Sequence, residues 1–251
     1  MDLEQFIVKK KEPKFPRFSE MIIYEDDHLL IVNKPPYLPS LDERSGEGQS
    51  LVKMAKNYCE TAILCHRLDR ETSGVLVIAK DPETHRNISI QFEKRRVEKV
   101  YHAVVDGITQ FDNVLVNLPI KVDRSNRVNI DRKDGKDATT LFNTIKTYRN
   151  FSLVECKPYT GRMHQIRVHL ASQNATISGD LAYGGKMPML SQYKRKYKVT
   201  KWENEEPIMK RFALHAYSIR INDNEGRTKE FFAKYPKDFE VFLKLIEKYE
   251  L

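Results

Sequence analysis

Residues 75–79, Val-Leu-Val-Ile-Ala, form an unbroken apolar run, with Gly74 in front and Lys80-Asp81-Pro82 behind. A short run without alternating polar positions is the signature of a strand covered on both faces, so this chain must place layers of structure on either side of it. Asp81 as N-cap and Pro82 at the first helical position predict that a helix follows, reaching about residue 94. Residues 97–105 alternate, which sets Val97, Lys99, Tyr101, Ala103 and Val105 on one face of a strand. Two short strands are predicted within 21–32 around an Asp26-Asp27 turn, and more near 114–120, 126–130, 138–148, 151–157 and 212–221. Helices are expected at 50–58, at 161–172 and from about 237, where Phe239, Phe242, Leu243 and Ile246 form one stripe. Residues 38–49, with Pro39, Gly46 and Gly48, read as loop. So many strands in succession favour an α+β fold, a large and mainly antiparallel mixed sheet flanked by helices and loops, over a doubly wound one.

The 251 residues, 40% of them hydrophobic, suffice for one sizeable core. Lys and Arg number 43 against 35 Asp and Glu, a formal net charge of +8. That excess suits a polyanionic partner, whose phosphates release counterions when lysines and arginines neutralise them. Cys59, Cys65 and Cys156 show no paired spacing and are expected as reduced, packed thiols. No apolar stretch near the N-terminus resembles a secretory signal, and no run of about 18 apolar residues occurs, which excludes an ordinary helical membrane span. The expectation is a cytoplasmic protein.

Immediately ahead of the apolar run lies Cys65-His66-Arg67-Leu68-Asp69-Arg70-Glu71-Thr72-Ser73-Gly74. One carboxylate thus sits among two arginines and a histidine at the mouth of a buried strand. Neighbouring guanidinium groups favour its ionised form, which can attack an electrophile or take a proton. The alternative is an ion pair that only fixes a loop. In the 161–172 segment, helical spacing puts Met163, Ile166 and Leu170 on one stripe and Arg167 on the same side. A buried guanidinium needs a partner, and Asp69 is the candidate; otherwise Arg167 snorkels to solvent or meets a structural acid. Residues 187–210 carry Lys194, Arg195, Lys196, Lys198 and Lys201 beside Tyr193, Tyr197 and Trp202. Basic residues interleaved with aromatics suit nucleic acid, though a charge run can equally be a solvated face.

The motif His66-Arg67-Leu68-Asp69-Arg70 with Thr72-Ser73-Gly74 resembles the catalytic motif of the RluA-type pseudouridine synthases. Four more segments match that family in order: 24–36 with Asn33-Lys34-Pro35-Pro36, then Lys99-Val100-Tyr101-His102-Ala103, then 161–170 with Gly161-Arg162-Met163-His164-Gln165-Ile166-Arg167, and Leu214-His215-Ala216. Together they span about residues 21 to 220. The resemblance implies one catalytic domain with a central RNA-binding cleft and an isomerase that turns uridine into pseudouridine without metal, ATP or redox cofactor. It implies Asp69 as the catalytic carboxylate, acting as nucleophile or as the base of a glycal route. Arg167 would hold Asp69 ionised, and Tyr101 would stack on the target base and aid the final proton removal. His66, Arg67, Arg70, Lys99, Arg162, His164 and Leu214 would bind substrate. Partners are RNA, ribosomal or transfer, with neither metal nor membrane, and a monomer is expected.

Three departures bear on the target. Residues 1–19 read as a basic arm, leaving no room before residue 20 for the small RNA-binding domain many members carry. Residues 39–49 lack the His-Pro wording associated with that loop, and the basic insertion at about 187–210 is untypical. Two other readings stand beside the enzyme: a catalytically inactive RNA-binding protein or chaperone on the same fold, and a hydrolase or metal site built from His66, His164, His169 and His215. The histidines lack ligand spacing, and a pure binder has little use for a buried acid that repels phosphate.

Overall fold

The structure is a computed structural model that describes residues 14–42, 48–194 and 205–249. A short helix α1 (Phe18–Met21) leads into β1 (Ile22–Glu25) and β2 (Leu29–Lys34), whose turn is fixed by Asp26 accepting from the His28 and Leu29 amides. Met21 therefore ends a helix rather than opening the first strand. After the loop come α2 (Leu51–Tyr58), capped by the Ser50 hydroxyl, then β3 (Ile63–Leu64) and β4 (Ser73–Ala79). Every residue of β4 is buried. Burying each of Val75, Leu76, Val77 and Ile78 contributes roughly 1.5–3 kcal/mol, which anchors the sheet on this strand. Helix α3 (Pro82–Glu93) starts as expected, with Asp81 accepting from the Thr84 amide.

The chain continues through β5 (Glu98–Asp106), β6 (Val114–Asn117), β7 (Ile120–Val122), β8 (Val128–Ile130), β9 (Thr139–Thr147) and β10 (Phe151–Pro158). Next are α4 (Gln165–Ser172), a 3-10 turn at Leu181–Tyr183, α5 (Leu190–Tyr193), β11 (Leu214–Asn222), β12 (Thr228–Phe232) and α6 (Lys237–Lys248). The main sheet runs β1-β2-β4-β11-β5-β10-β9-β6, with β3 beside β4 and β12 beside β11. All its strand pairs are antiparallel except β4 with β11. The fold is α+β, as expected. Strands β7 and β8 form a separate hairpin. The alternation read for residues 97–105 holds only at the start of β5, because from His102 to Val105 both faces are covered.

The parallel joint is short, pairing Ser73 with His215 and Gly74 with Ala216. Gly74 is irreplaceable there: its φ is +120°, and a Cβ would lie 2.1 Å from the Ala216 carbonyl oxygen. Phe239, Phe242 and Ile246 of α6 close a second core around Phe142, Phe151 and Val154, while Phe18, Leu30 and Leu76 belong to the first. The three cysteines are free.

Candidate active site

The joint between β4 and β11 positions the motif. The chain makes a turn over 65–72 before entering β4, with the Thr72 amide bonded to the Asp69 carbonyl, and two buried cations hold that turn in place. Lys34, at the end of β2, is fully buried and donates from Nζ to the carbonyls of Pro35, Leu38 and Arg70 at 3.0, 2.9 and 3.2 Å. Burial, and then the Arg211 charge, push its ammonium down to about 7, while Asp69 acts the other way. Arg211 is also fully buried. It forks onto Asp238 at 2.8 and 3.1 Å and gives Nη1 to the carbonyls of Glu71, Phe212 and Leu214. Its Nη2 reaches Ser73 Oγ at 3.3 Å, and Ser73 in turn meets His215 Nδ1 at 2.9 Å. The carbonyls of the two residues after Asp69 are thus each held by a different cation.

Asp69 itself projects into a cleft lined by Arg67, Thr72, Lys99, Tyr101, Thr160, Arg162, His164, Arg167 and Leu214. Its carboxylate is about 30% exposed, open to a ligand. Arg167 Nη1 stands 3.8 Å from it, and His164 Nε2 4.0 Å. The expected pairing of Arg167 with Asp69 is present at that distance, but the tighter partner is Asp180. Arg167 donates to Asp180 through Nε and Nη2 at 2.6 and 2.7 Å, and both side chains are buried. Its guanidinium carbon lies 4.3 Å from the centre of the Phe212 ring and 5.0 Å from that of Tyr183. Burial opposes this charge, but the Asp180 bonds outweigh it and raise Arg167 above its ordinary value. Arg167 thus arrives at the cleft already paired, turning its remaining nitrogen towards Asp69.

The helix read over 161–172 is shorter than the spacing suggests. It begins at Gln165, and 161–164 form a turn that ends with His164 in the left-handed region at φ 53°. Met163 accordingly lies on no buried stripe and is exposed. Gln165 makes the turn rigid, accepting from the Arg162 amide at 3.0 Å and the Thr160 hydroxyl at 2.7 Å. His164 Nδ1 bonds the Tyr183 hydroxyl at 2.9 Å, and burial followed by the Arg167 charge holds its imidazole below the usual value.

Tyr101 and Lys99 extend from β5 into the same cleft, as the strand period requires. Burial first, and then the Asp69 charge, raise the Tyr101 hydroxyl well above its normal range. Lys99 donates to the Thr160 carbonyl at 3.2 Å, and burial pulls it down to about 8. Leu214 is buried against the cleft floor. Arg67 is exposed at the rim; Arg70 is exposed too and donates to the Tyr37 carbonyl at 3.2 Å. Arg162 is tied to the Asp137 carbonyl at 3.0 Å. His66 turns inward: its Nε2 accepts from the Val77 amide at 3.0 Å, its ring lies 5.0 Å from Phe92, and burial then pushes it down to about 3.

The histidines weighed as a metal set are dispersed: His66 goes to Val77, His164 to Tyr183, His169 to Thr140 and Leu118, and His215 to Ser73 and Ala233. Sequence reasoning missed Asp180, Arg211 and Lys34. Lys34 left a trace, a lysine closing an apolar strand ahead of Pro35-Pro36. Asp180 and Arg211 left none that periodicity could expose.

A half-buried carboxylate in a small basic cleft, flanked by a tyrosine and backed by a paired arginine, has the make-up of an enzyme site for a polyanionic substrate. The chain belongs to the RNA pseudouridylate synthase family, whose model matches residues 28–172. It is 30% identical to ribosomal large subunit pseudouridine synthase D of Zymomonas mobilis, covering 90% of this chain and 72% of that one. It is 36% identical to ribosomal large subunit pseudouridine synthase C of Buchnera aphidicola, over 88% and 68%. The solved structure of human RNA pseudouridylate synthase domain containing 4 shares the fold, with a TM-score of 0.68 at 23% identity, covering 92% and 94%. The protein is therefore an isomerase that converts uridine to pseudouridine in RNA.

Proposed function

We propose that Asp69 is the catalytic carboxylate and that the RNA is ribosomal, of the large subunit. The observation that carries the first part is the Asp69 carboxylate, open to the cleft while the chain around it is anchored. A uridine swung out of its RNA would place its ribose against this oxygen, which either attacks the anomeric carbon or removes a proton to give a glycal. The detached uracil then turns and rejoins through carbon. Arg167, already charge-balanced by Asp180, steadies Asp69 without neutralising it. Tyr101 enters as a neutral phenol, given its raised hydroxyl, and serves as a stacking platform; it aids the last proton removal by hydrogen bonding, while a carboxylate such as Asp69 takes the proton. Stacking of this kind is worth roughly 1–3 kcal/mol, comparable with the cost of flipping a base. Arg67, Arg70, Lys99, Arg162, His164 and Leu214 hold the nucleotide, with His66, fixed by the bond its Nε2 accepts from the Val77 amide, lining the adjoining groove.

The ribosomal assignment rests on the names of the relatives from Zymomonas, Borreliella, Buchnera and Neisseria, all ribosomal large subunit enzymes. On this reading the enzyme works in the cytoplasm beside its RNA, and as a monomer. Residues 20–251 act as the catalytic domain, helped in target choice by the basic arm at 1–19 and the insertion at about 187–210. Residues 1–13 and 195–204, and with them Arg195, Lys196, Lys198 and Trp202, lie outside the described residues. A map of pseudouridine in RNA from cells with and without the gene tests the target. Loss of a large-subunit ribosomal site is expected; loss of a transfer RNA site alone would overturn the ribosomal reading.

A further inference from the structure

The cleft at Asp69, about 110 Å³, opens into a second and larger groove of about 580 Å³. The two share Arg67, Lys99, Tyr101, Thr160, Gly161 and Arg162. The groove runs between the end of α3, which brings Phe92 and Arg95, and the turn after β10, which brings Tyr159. Four cations line it against one acid, Glu93. Among the described residues Arg67 and Arg95 have no carboxylate partner. An unneutralised, one-sided charge beside an isomerase site for RNA is fitted to phosphate.

Two further observations point the same way. Tyr159 is 49% exposed, although its amide is fixed to the Thr139 carbonyl. A large ring held out on a rigid turn, with solvent on its free side, is a stacking surface at little ordering cost. Arg95 adopts a left-handed backbone at φ 56°, where glycine would sit without strain. The helix end thus carries a guanidinium into the groove at a position that local conformation alone would give to glycine.

We propose that this groove is the seat of the single-stranded nucleotide adjoining the target uridine, its base stacked on Tyr159 and its phosphate met by Arg95. The inference rests on the reading that Asp69 receives the uridine, and it names how the neighbouring strand is held. Recognition here is by ring face and phosphate, so it tolerates any base at that position.

Binding is measured in Asp69→Asn protein, which separates it from turnover, using a fluorescein-labelled oligouridylate 12-mer at several salt concentrations. Tyr159→Ala is expected to weaken binding by roughly 5- to 150-fold, with the salt slope unchanged. Arg95→Gly suits the local backbone and so preserves the fold; it should lower the slope of log K against log salt by about 0.7. A 12-mer carrying 5-iodouridine should crosslink to the peptide containing Tyr159. Binding within twofold of the parent in Tyr159→Ala, an unchanged slope in Arg95→Gly, a crosslink elsewhere, or no binding of the 12-mer by the parent would each overturn the groove. Turnover by Asp69→Asn would overturn the catalytic reading instead.

Discussion

Arg167 clasps Asp180 with two hydrogen bonds at 2.6 and 2.7 Å and stands 3.8 Å from Asp69. One guanidinium thus serves two acids in different ways: a structural clamp with the buried one, a field at the exposed one.

The two acids should therefore fail differently. Asp180→Ala strands a buried guanidinium and is expected to cost about 3–5 kcal/mol in urea unfolding, taking activity with it. Asp69→Asn should unfold within about 1 kcal/mol of the parent, keep RNA binding and lose pseudouridine formation altogether. A stable Asp180→Ala, or an Asp69→Asn that turns over, contradicts the division.

Arg211 holds the Glu71 carbonyl and Asp238 together from a fully buried position. A lysine keeps the charge but cannot fork. Arg211→Lys is expected to lose about 2–4 kcal/mol of stability and, in the fraction still folded, to lower kcat far more than it raises KM. Steady-state kinetics at low temperature read the split; a pure KM effect would show that the turn is not what Arg211 positions.

At Gly74 both backbone conformation and space forbid a side chain. Gly74→Ala should cost about 3 kcal/mol or more, since strain at positive φ adds to overlap with the Ala216 carbonyl. Thermal melting of the purified variant checks this, and a melting point within two or three degrees of the parent would refute it.

Acid should destabilise the fold through neutral imidazoles. Burial is the leading cause that puts His66 at about 3 and His215 at about 4, both below the ordinary 6.5. Between about pH 6.5 and 4 the unfolded chain binds more protons than the native one, so the stability these groups contribute above 6.5 is lost as pH falls. The urea midpoint should drop across that window. His66→Gln, which can still accept from the Val77 amide, should flatten the drop, and an unaltered pH curve would exclude His66 as a source.

Much of this architecture could be read directly from residue pattern. The apolar run at 75–79, the Asp81-Pro82 start and the α6 stripe each depend on local periodicity and capping, which act within a few residues. The helix at 161–172 was overread because Met163 falls in phase with Ile166 by chance, while the Gln165 side chain, reaching back to Thr160 and the Arg162 amide, delays the first turn. In the cleft, Asp69, Tyr101 and Arg167 fall together as the motifs implied. The second and tighter partner of Arg167 did not follow, because Asp180 lies thirteen residues on, across a turn whose geometry no period encodes. Lys34 escaped because its bonds go to backbone carbonyls, which look alike in every sequence, and Arg211 because its bonds join such carbonyls to an acid, Asp238, twenty-seven residues on.

The bond from Arg211 to the Glu71 carbonyl spans 140 positions along the chain. During synthesis Asp69 emerges long before Arg211, which helps to fasten its turn. A nascent chain that stops short of Arg211 lacks the cation on the Glu71 carbonyl and keeps the Lys34 bond to the Arg70 carbonyl and the Thr72 to Asp69 backbone bond. The turn that carries Asp69 is therefore completed only after the residues from Arg211 onward have folded back onto it.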